Sequence, residues 1–219
     1  FDVISLLMPL SECIIILPKL FDENLKKYVF ELNKKNVIIL TKNPRLEFAQ
    51  ILGFIVDYRN IDNGENLKIG DNVAIGKNVK LGSNIVIGNN VSIGNNCIVM
   101  DGAILKSNVI LKENVIIREN AVIGGWGFGF ERNEENIPVR LPHIGGVVIE
   151  ENVEIGALTS VASGTMIPTF IDKNTKIDDR TIIAHNCNIG KNCIITGNVS
   201  VCGSVKIGNN VWIGPNSTI

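Results

Sequence analysis

Ile69, Ile75, Leu81, Ile87 and Ile93 fall six residues apart, and each is followed by glycine: Gly70, Gly76, Gly82, Gly88 and Gly94. With 21 glycines in 219 residues, five such coincidences by chance amount to an event of about one in 10⁵, and self-similarity at a fixed period is the mark of a stacked repeat. The apolar beat continues through Val99, Leu105, Leu111, Ile117 and Ile123. It resumes at Ile149, Ile155 and Val161, slips, then runs every sixth residue from Ile171 through Ile183 and Ile195 to Ile219.

A beat of six matches neither the 3.6 residues of a helical turn nor the alternation of a simple strand. A short strand followed by a tight corner satisfies it, because every sixth side chain then enters one shared core. Asn72, Asn78, Asn84, Asn90 and Asn96 recur at the corners, and asparagine tolerates the left-handed backbone conformation that a sharp corner needs. β-Branched residues at the inward positions suit parallel strands buried on the core side. Ordinary hairpins would need strands of about five or six residues with alternating faces. The pattern therefore predicts a hexapeptide-repeat parallel β-helix over residues 61–219, preceded by a different domain over 1–60.

That first segment reads as a small α/β domain, truncated at its front. Cys13 to Leu17 and Val37 to Leu40 are apolar strands, Asp22 to Lys34 has helical spacing, and Asn43-Pro44 opens a second helix. Residues 57–68 link it to the repeats. Within the repeats the beat is lost between Ile123 and Ile149. A loop over about 124–147 must protrude there, and such excursions from a repeat scaffold are usually functional. Its Trp126, Phe128 and Phe130, separated by glycines, are expected to cover a ligand, a neighbouring subunit or both. From Gly164 to Ile171 the beat is four residues out of step, which predicts a shortened or distorted corner in a coil that stays closed.

Composition narrows the functions open to such a chain. Apolar residues make up 45% and charged residues 20%, enough to bury a core. A formal charge of −1 speaks against nucleic acid or an anionic membrane surface as partner, since both need a cationic footprint. No run approaches the roughly 18 apolar residues of a membrane span, so no integral membrane segment is expected. The five cysteines, Cys13, Cys97, Cys187, Cys193 and Cys202, are odd in number and unclustered, which fits a reducing cytoplasm better than a disulfide framework or a zinc cluster. The chain opens at Phe1 with neither an initiator Met nor a signal pattern, as a fragment would.

Five motifs occur in order: Gly125-Trp126-Gly127-Phe128-Gly129-Phe130, Leu141-Pro142-His143-Ile144-Gly145, Val153-Glu154-Ile155-Gly156-Ala157, Ile177-Asp178, and Ala184-His185-Asn186. With Lys42-Asn43-Pro44, their order and spacing resemble the UDP-3-O-(3-hydroxyacyl)glucosamine N-acyltransferases of lipid A synthesis, hexapeptide-repeat enzymes built on a left-handed β-helix. The resemblance implies the left-handed coil, three hexads per turn and a homotrimer with sites in the clefts between prisms. It further implies transfer of an acyl group from the phosphopantetheine thioester of acyl carrier protein to the amine of a nucleotide sugar. No bound cofactor is implied, because the phosphopantetheine-linked donor is itself a substrate. The histidine of the family's Ala-His-Asn motif, here His185, would be catalytic, with Asp178, His143, Trp126, Phe128 and Asn186 as candidate substrate-binding residues.

The chemistry agrees. An amine attacking a thioester must lose a proton, and an imidazole titrating near 6.5 suits that task. His185 lies two residues past the inward Ile183, where it is expected to project outward from a strand. No serine or cysteine stands in a nucleophile context, so direct transfer is expected rather than an acyl-enzyme, and no metal cluster is visible. Two departures from the family stand out. Ile14, Leu17 and Leu20 occupy the positions of its uracil clamp, and Val161-Ala162-Ser163-Gly164 replaces an Ile-Asp-Arg-Gly stretch. A related enzyme taking another nucleotide amino sugar and acyl-CoA or acetyl-CoA is the first alternative, and a non-catalytic β-helix scaffold the second.

Overall fold

The computed structural model describes residues 7, 9–19, 29–55 and 64–219. It divides into two compact units, residues 1–60 and 61–219. In the first, β1 (Ile14–Pro18) pairs in parallel with β2 (Val37–Thr41), and α1 spans Pro44–Ile55. Asn43 caps α1, its side-chain oxygen accepting from the Leu46 N–H at 3.1 Å, while Pro44 takes the first helical position, where a missing N–H costs nothing. The helix expected over Asp22–Lys34 is described only at its end, where 29–33 are helical. Leu20 lies outside the described residues, as does most of the 57–68 link, and Ile14 is exposed.

The second unit is the parallel β-helix the repeat predicts, left-handed as the resemblance implies. Three sheets of seven short strands form its faces. The first runs from Lys68–Ile69 to Ser200–Val201, the second from Ala74–Ile75 to Lys206–Ile207, and the third from Lys80–Leu81 to Trp212–Ile213. All pairings within these faces are parallel, and in the regular part each residue meets its counterpart three hexads later, as in Ile69↔Ile87, Ile75↔Ile93 and Leu81↔Val99. Three hexads thus close one coil, and one beat of the sequence is one face of the triangle. The inward Leu105, Ile123, Ile149, Ile155, Val161 and Ile183 are fully buried, and each such burial contributes about 1.5–3 kcal/mol. Cys97, Cys187 and Cys193 are buried in the same stack. Burial pushes the Cys97 and Cys187 thiols up, so they act as small apolar groups.

At the three edges the backbone turns through left-handed residues, the non-glycine ones with φ between 54 and 64°. Most are asparagine, as expected. Leu158, Arg180 and Ser204 also adopt this conformation, which no corner signal in the sequence foretells.

Two insertions interrupt the regular coil, both at the first edge, between the first and second faces. Val109 pairs with Val147, where an uninterrupted coil would bring it Gly127, so the protruding segment lengthens this turn to about twice the regular one. It carries a small antiparallel hairpin of Phe130–Arg132 against Pro138–Arg140, closed by Asn133, whose side-chain oxygen accepts from the N–H groups of Glu135 and Ile137. The second insertion explains the slip. Ile149 pairs with Ile171 and Val161 with Ile183, where the regular register would bring them Ile167 and Asp179. The corner there is lengthened by four residues, not shortened. The coil stays closed because Thr169–Ile171 keeps its pairing on both sides. Among the described residues no helix is long and apolar enough to cross a membrane.

Candidate active site

The two insertions are sewn to one another. The Ile144 N–H donates to the Thr165 carbonyl at 3.0 Å and the Gly145 N–H to the Gly164 carbonyl at 2.8 Å. Ser163, buried, accepts from the Gly146 N–H at 2.9 Å and donates to the Gly164 carbonyl. The returning end of the long loop is thereby laid along the first edge, and it carries His143 to a residue far along the chain. The rings of His143 and His185 pack with centroids 4.8 Å apart and planes tilted by 54°.

His185 occupies the corner turn after Ile182–Ile183 rather than a strand, which corrects the sequence expectation. It is half-buried. Its backbone is held from the next coil, its carbonyl accepting from the Ser204 N–H at 2.8 Å. Three glycines make room for the histidine pair. A Cβ at Gly127 would come within 2.8 Å of His185 Cδ2, one at Gly129 within 2.7 Å of His143 Cε1, and one at Gly203 within 2.7 Å of His185 Nε2 and Cε1. Gly203 escapes inspection of local motifs. It stands one full turn of the coil beyond His185, so the repeat arithmetic is the signal that finds it.

His143 is 2% exposed, and among the described residues neither of its ring nitrogens has a hydrogen-bond partner. Burial first, and then the charge His185 takes up on protonation, hold its pKa below the ordinary 6.5. It is therefore a neutral neighbour at pH 7. It also lines a cavity of about 440 Å³ with Lys106, Asn108, Trp126, Ile144 and Ser163. Trp126 and Phe128 stand out from the surface, 61% and 90% exposed. Arg140 lies over the rings of Phe130 and Trp126 at 4.4 and 5.9 Å, which ties the aromatic arm together.

The other expected site residues separate. Asn186 is beside His185, but its side chain is engaged within the protein: its oxygen accepts from the Thr165 hydroxyl at 2.9 Å and its nitrogen donates to the Ile167 carbonyl at 3.4 Å. Asp178 sits exposed on the third edge rather than the first. It lines a different cavity, of about 230 Å³, with Arg118, Glu154, Lys176 and Thr196. Within one chain the structure brings together His143, His185, Asn186 and Trp126, and leaves Asp178 apart. Among the described residues no three His, Cys, Asp or Glu side chains converge as metal ligands would.

Residues 66–98 and 90–125 match the bacterial transferase hexapeptide family (six repeats), and residues 180–219 match the hexapeptide repeat of succinyl-transferase. The UDP-3-O-acylglucosamine N-acyltransferase of Lawsonia intracellularis is 48% identical over 56 residues, 26% of this chain and 16% of that one. That of Aromatoleum aromaticum is 43% identical over 56 residues, again 26% of this chain and 17% of the relative. The chain thus spans about a sixth of the length of these relatives. Among solved structures, LpxA of Acinetobacter baumannii superposes with a TM-score of 0.63 at 25% identity, covering 72% of this chain and 59% of that one. The UDP-N-acetylglucosamine O-acyltransferase of Moraxella catarrhalis superposes at 0.60, with 23% identity over 69% of this chain and 57% of that one, a likeness of fold. Repeat, coil and comparisons agree that the chain carries the hexapeptide repeat of bacterial transferases on a β-helix like that of these acyltransferases.

Proposed function

We propose that this chain is the coil-bearing part of an N-acyltransferase. It would move an acyl group from the phosphopantetheine thioester of acyl carrier protein to the amine of a nucleotide-linked amino sugar of the UDP-3-O-acylglucosamine type, in lipid A synthesis. The observation that carries this reading is His185: a half-buried imidazole at the loop's edge, on a backbone fixed from the next coil, with glycines clearing space around its ring. The relatives named for this reaction support it.

In the proposed step the amine nitrogen attacks the thioester carbonyl carbon, and His185 takes the proton the nitrogen must shed as the C–N bond forms. The tetrahedral intermediate then expels sulfur, and the imidazolium returns the proton to the leaving thiolate. An amide and a thiol result, with His185 neutral again. A neutral His143 helps, because a second cation 4.8 Å away would oppose proton uptake by His185. The exposed Trp126 and Phe128 would close over donor or acceptor once a second subunit faces the edge, the family's trimeric arrangement. The cytoplasm, where acyl carrier protein resides, is the matching compartment.

One observation favours a second reading. Ile14 presents an aliphatic surface where the family stacks an aromatic ring on uracil, which suits another nucleotide amino sugar with acyl-CoA as donor. Mass spectrometry of products from the full-length protein, given a panel of acyl carrier protein and CoA thioesters with several nucleotide amino sugars, decides between them. Acylation of UDP-3-O-acylglucosamine from acyl carrier protein is the expected result. Turnover only with acyl-CoA on another sugar would replace the first reading with the second, and no acylated product from any pair would overturn both.

A further inference from the structure

The four-residue insertion has a geometry that reaches His185. The backbone N–H of Thr165 donates to the Asn186 side-chain oxygen at 3.2 Å, and the Thr165 hydroxyl donates to the same atom at 2.9 Å. A backbone N–H can only donate, so the atom it faces is the amide oxygen and not the amide nitrogen. That oxygen also lies 3.1 Å from His185 Nδ1. An amide oxygen can only accept, so Nδ1 carries the hydrogen and the lone pair is left on Nε2. The amide is braced from its other end by the Ile167 carbonyl, and the Asn186 N–H donates to the buried Thr169 hydroxyl at 2.9 Å. All these partners belong to the lengthened corner or the strand that follows it.

We propose that Asn186, oriented by Thr165, is a positioning residue that holds His185 in its Nδ1–H tautomer and so makes Nε2 the proton-accepting atom. This rests on the reading of His185 as general base. Asn186 stands where a corner asparagine ordinarily exchanges amide hydrogen bonds with the corners of the neighbouring coils, and its amide oxygen is instead turned toward the imidazole. A neutral acceptor has a distinct effect here. It fixes the tautomer without the added attraction for imidazolium that a carboxylate would exert, so His185 remains free to give its proton back to the thiolate. Nε2 then lies over Gly203, where any Cβ would come within 2.7 Å of it, so a glycine there lets the imidazole keep this orientation.

The test uses the full-length protein with ¹⁵N-labelled histidine. Ring-nitrogen shifts of His185 above pH 7.5 should report the Nδ1–H form in the native protein. Asn186→Gly keeps the left-handed corner but removes the acceptor, and should give a mixture of tautomers with kcat lowered at least about 10-fold and KM little changed. Asn186→Asp restores an acceptor with charge. It should keep the Nδ1–H form and move the acid limb of the kcat profile up by about one pH unit. An Nδ1–H tautomer that persists in Asn186→Gly overturns the proposal. Should that variant not fold, Asn186→Asp decides alone, and an unmoved acid limb overturns it. The tautomer is read without turnover, so a failure of His185 as base, seen as normal kcat in His185→Ala, remains distinguishable.

Discussion

Two edges of the same prism show what repetition secures and what departing from it releases. Along the second edge, between the second and third faces, seven asparagines from Asn78 to Asn210 all turn the backbone in the left-handed conformation. Several pass an amide hydrogen bond straight to the next coil: Asn78 to Asn96 at 3.2 Å, Asn152 to Asn174 at 3.2 Å, Asn174 to Asn192 at 3.0 Å, and Asn192 to Asn210 at 3.0 Å. The first edge begins the same way, with Asn72 to Asn90 and Asn90 to Asn108 at 3.3 Å. There the ladder stops. The Asn108 amide turns to the Ile144 carbonyl, Gly146 takes the next corner with φ +76°, and Asn186 turns to Thr165 and His185. The side-chain amides that stitch one edge serve, on the other, to hold the inserted segments and the imidazole.

If the difference between the edges is functional, its largest consequence should be catalytic. His185→Ala is expected to lower kcat by at least about 10²-fold while thermal unfolding stays near that of the native protein, since a half-buried corner side chain carries little packing. Turnover near normal in a folded His185→Ala protein would break the comparison at its centre.

Stability should separate the edges next. A Cβ at Gly146 would lie 2.1 Å from the Asn108 carbonyl oxygen, at a backbone angle that L-residues resist. Gly146→Ala is expected to cost about 3 kcal/mol, read as a lower denaturation midpoint in urea. Asn192→Ala, on the regular edge, should cost only about 1–2 kcal/mol, chiefly for the left-handed conformation. Equal losses would mean that the first edge is no more tightly determined than the second.

The smallest effect concerns pH. With its folded pKa below the ordinary 6.5, His143 binds fewer protons folded than unfolded. It therefore adds stability that is complete above about pH 6.5 and is lost as pH falls through the folded value. Unfolding free energy measured between pH 7.5 and 5 should decline less in His143→Gln than in the native protein. An identical slope in the two would remove burial of a neutral His143 from the account of this edge.

The regular edge is the part of the molecule that reads directly from sequence. Inward Ile, Val and Leu every sixth residue fix which side chains meet, and corner asparagines fix where the backbone turns, because both depend on spacing alone. The irregular edge reads less well for particular reasons. Phe130–Arg132 and Pro138–Arg140 are too short for any alternation to mark a hairpin. The lengthened corner shows in sequence only as lost phase, which does not tell two residues removed from four added. His143 and His185 are named by their motifs, yet their stacking depends on where a long insertion returns to the coil. Asn186 looks like any other corner asparagine until Thr165 is seen donating to it. Asp178 is named only by the resemblance, and a triangular coil places its corner and that of His185 on different edges.

The spacing of the pairings also bears on the order in which the molecule assembles. Contacts between regular coils join residues three hexads apart, as Ile69 and Ile87 are, whereas the turn that carries the long loop must bring together Val109 and Val147. By loop-closure entropy a turn of twice the length costs only about 0.7 kcal/mol more, so the insertion is tolerated with little loss of stability. Its contacts still close over the longest span in the stack, and nucleation should favour the short, local coils on either side. The junction that carries His143 to His185 is then expected to zip last during folding and to open first in native-state hydrogen exchange. A substrate bridging the loop and the coil would bind where the stack is most ready to part, and its contacts would close the weakest joint of the column.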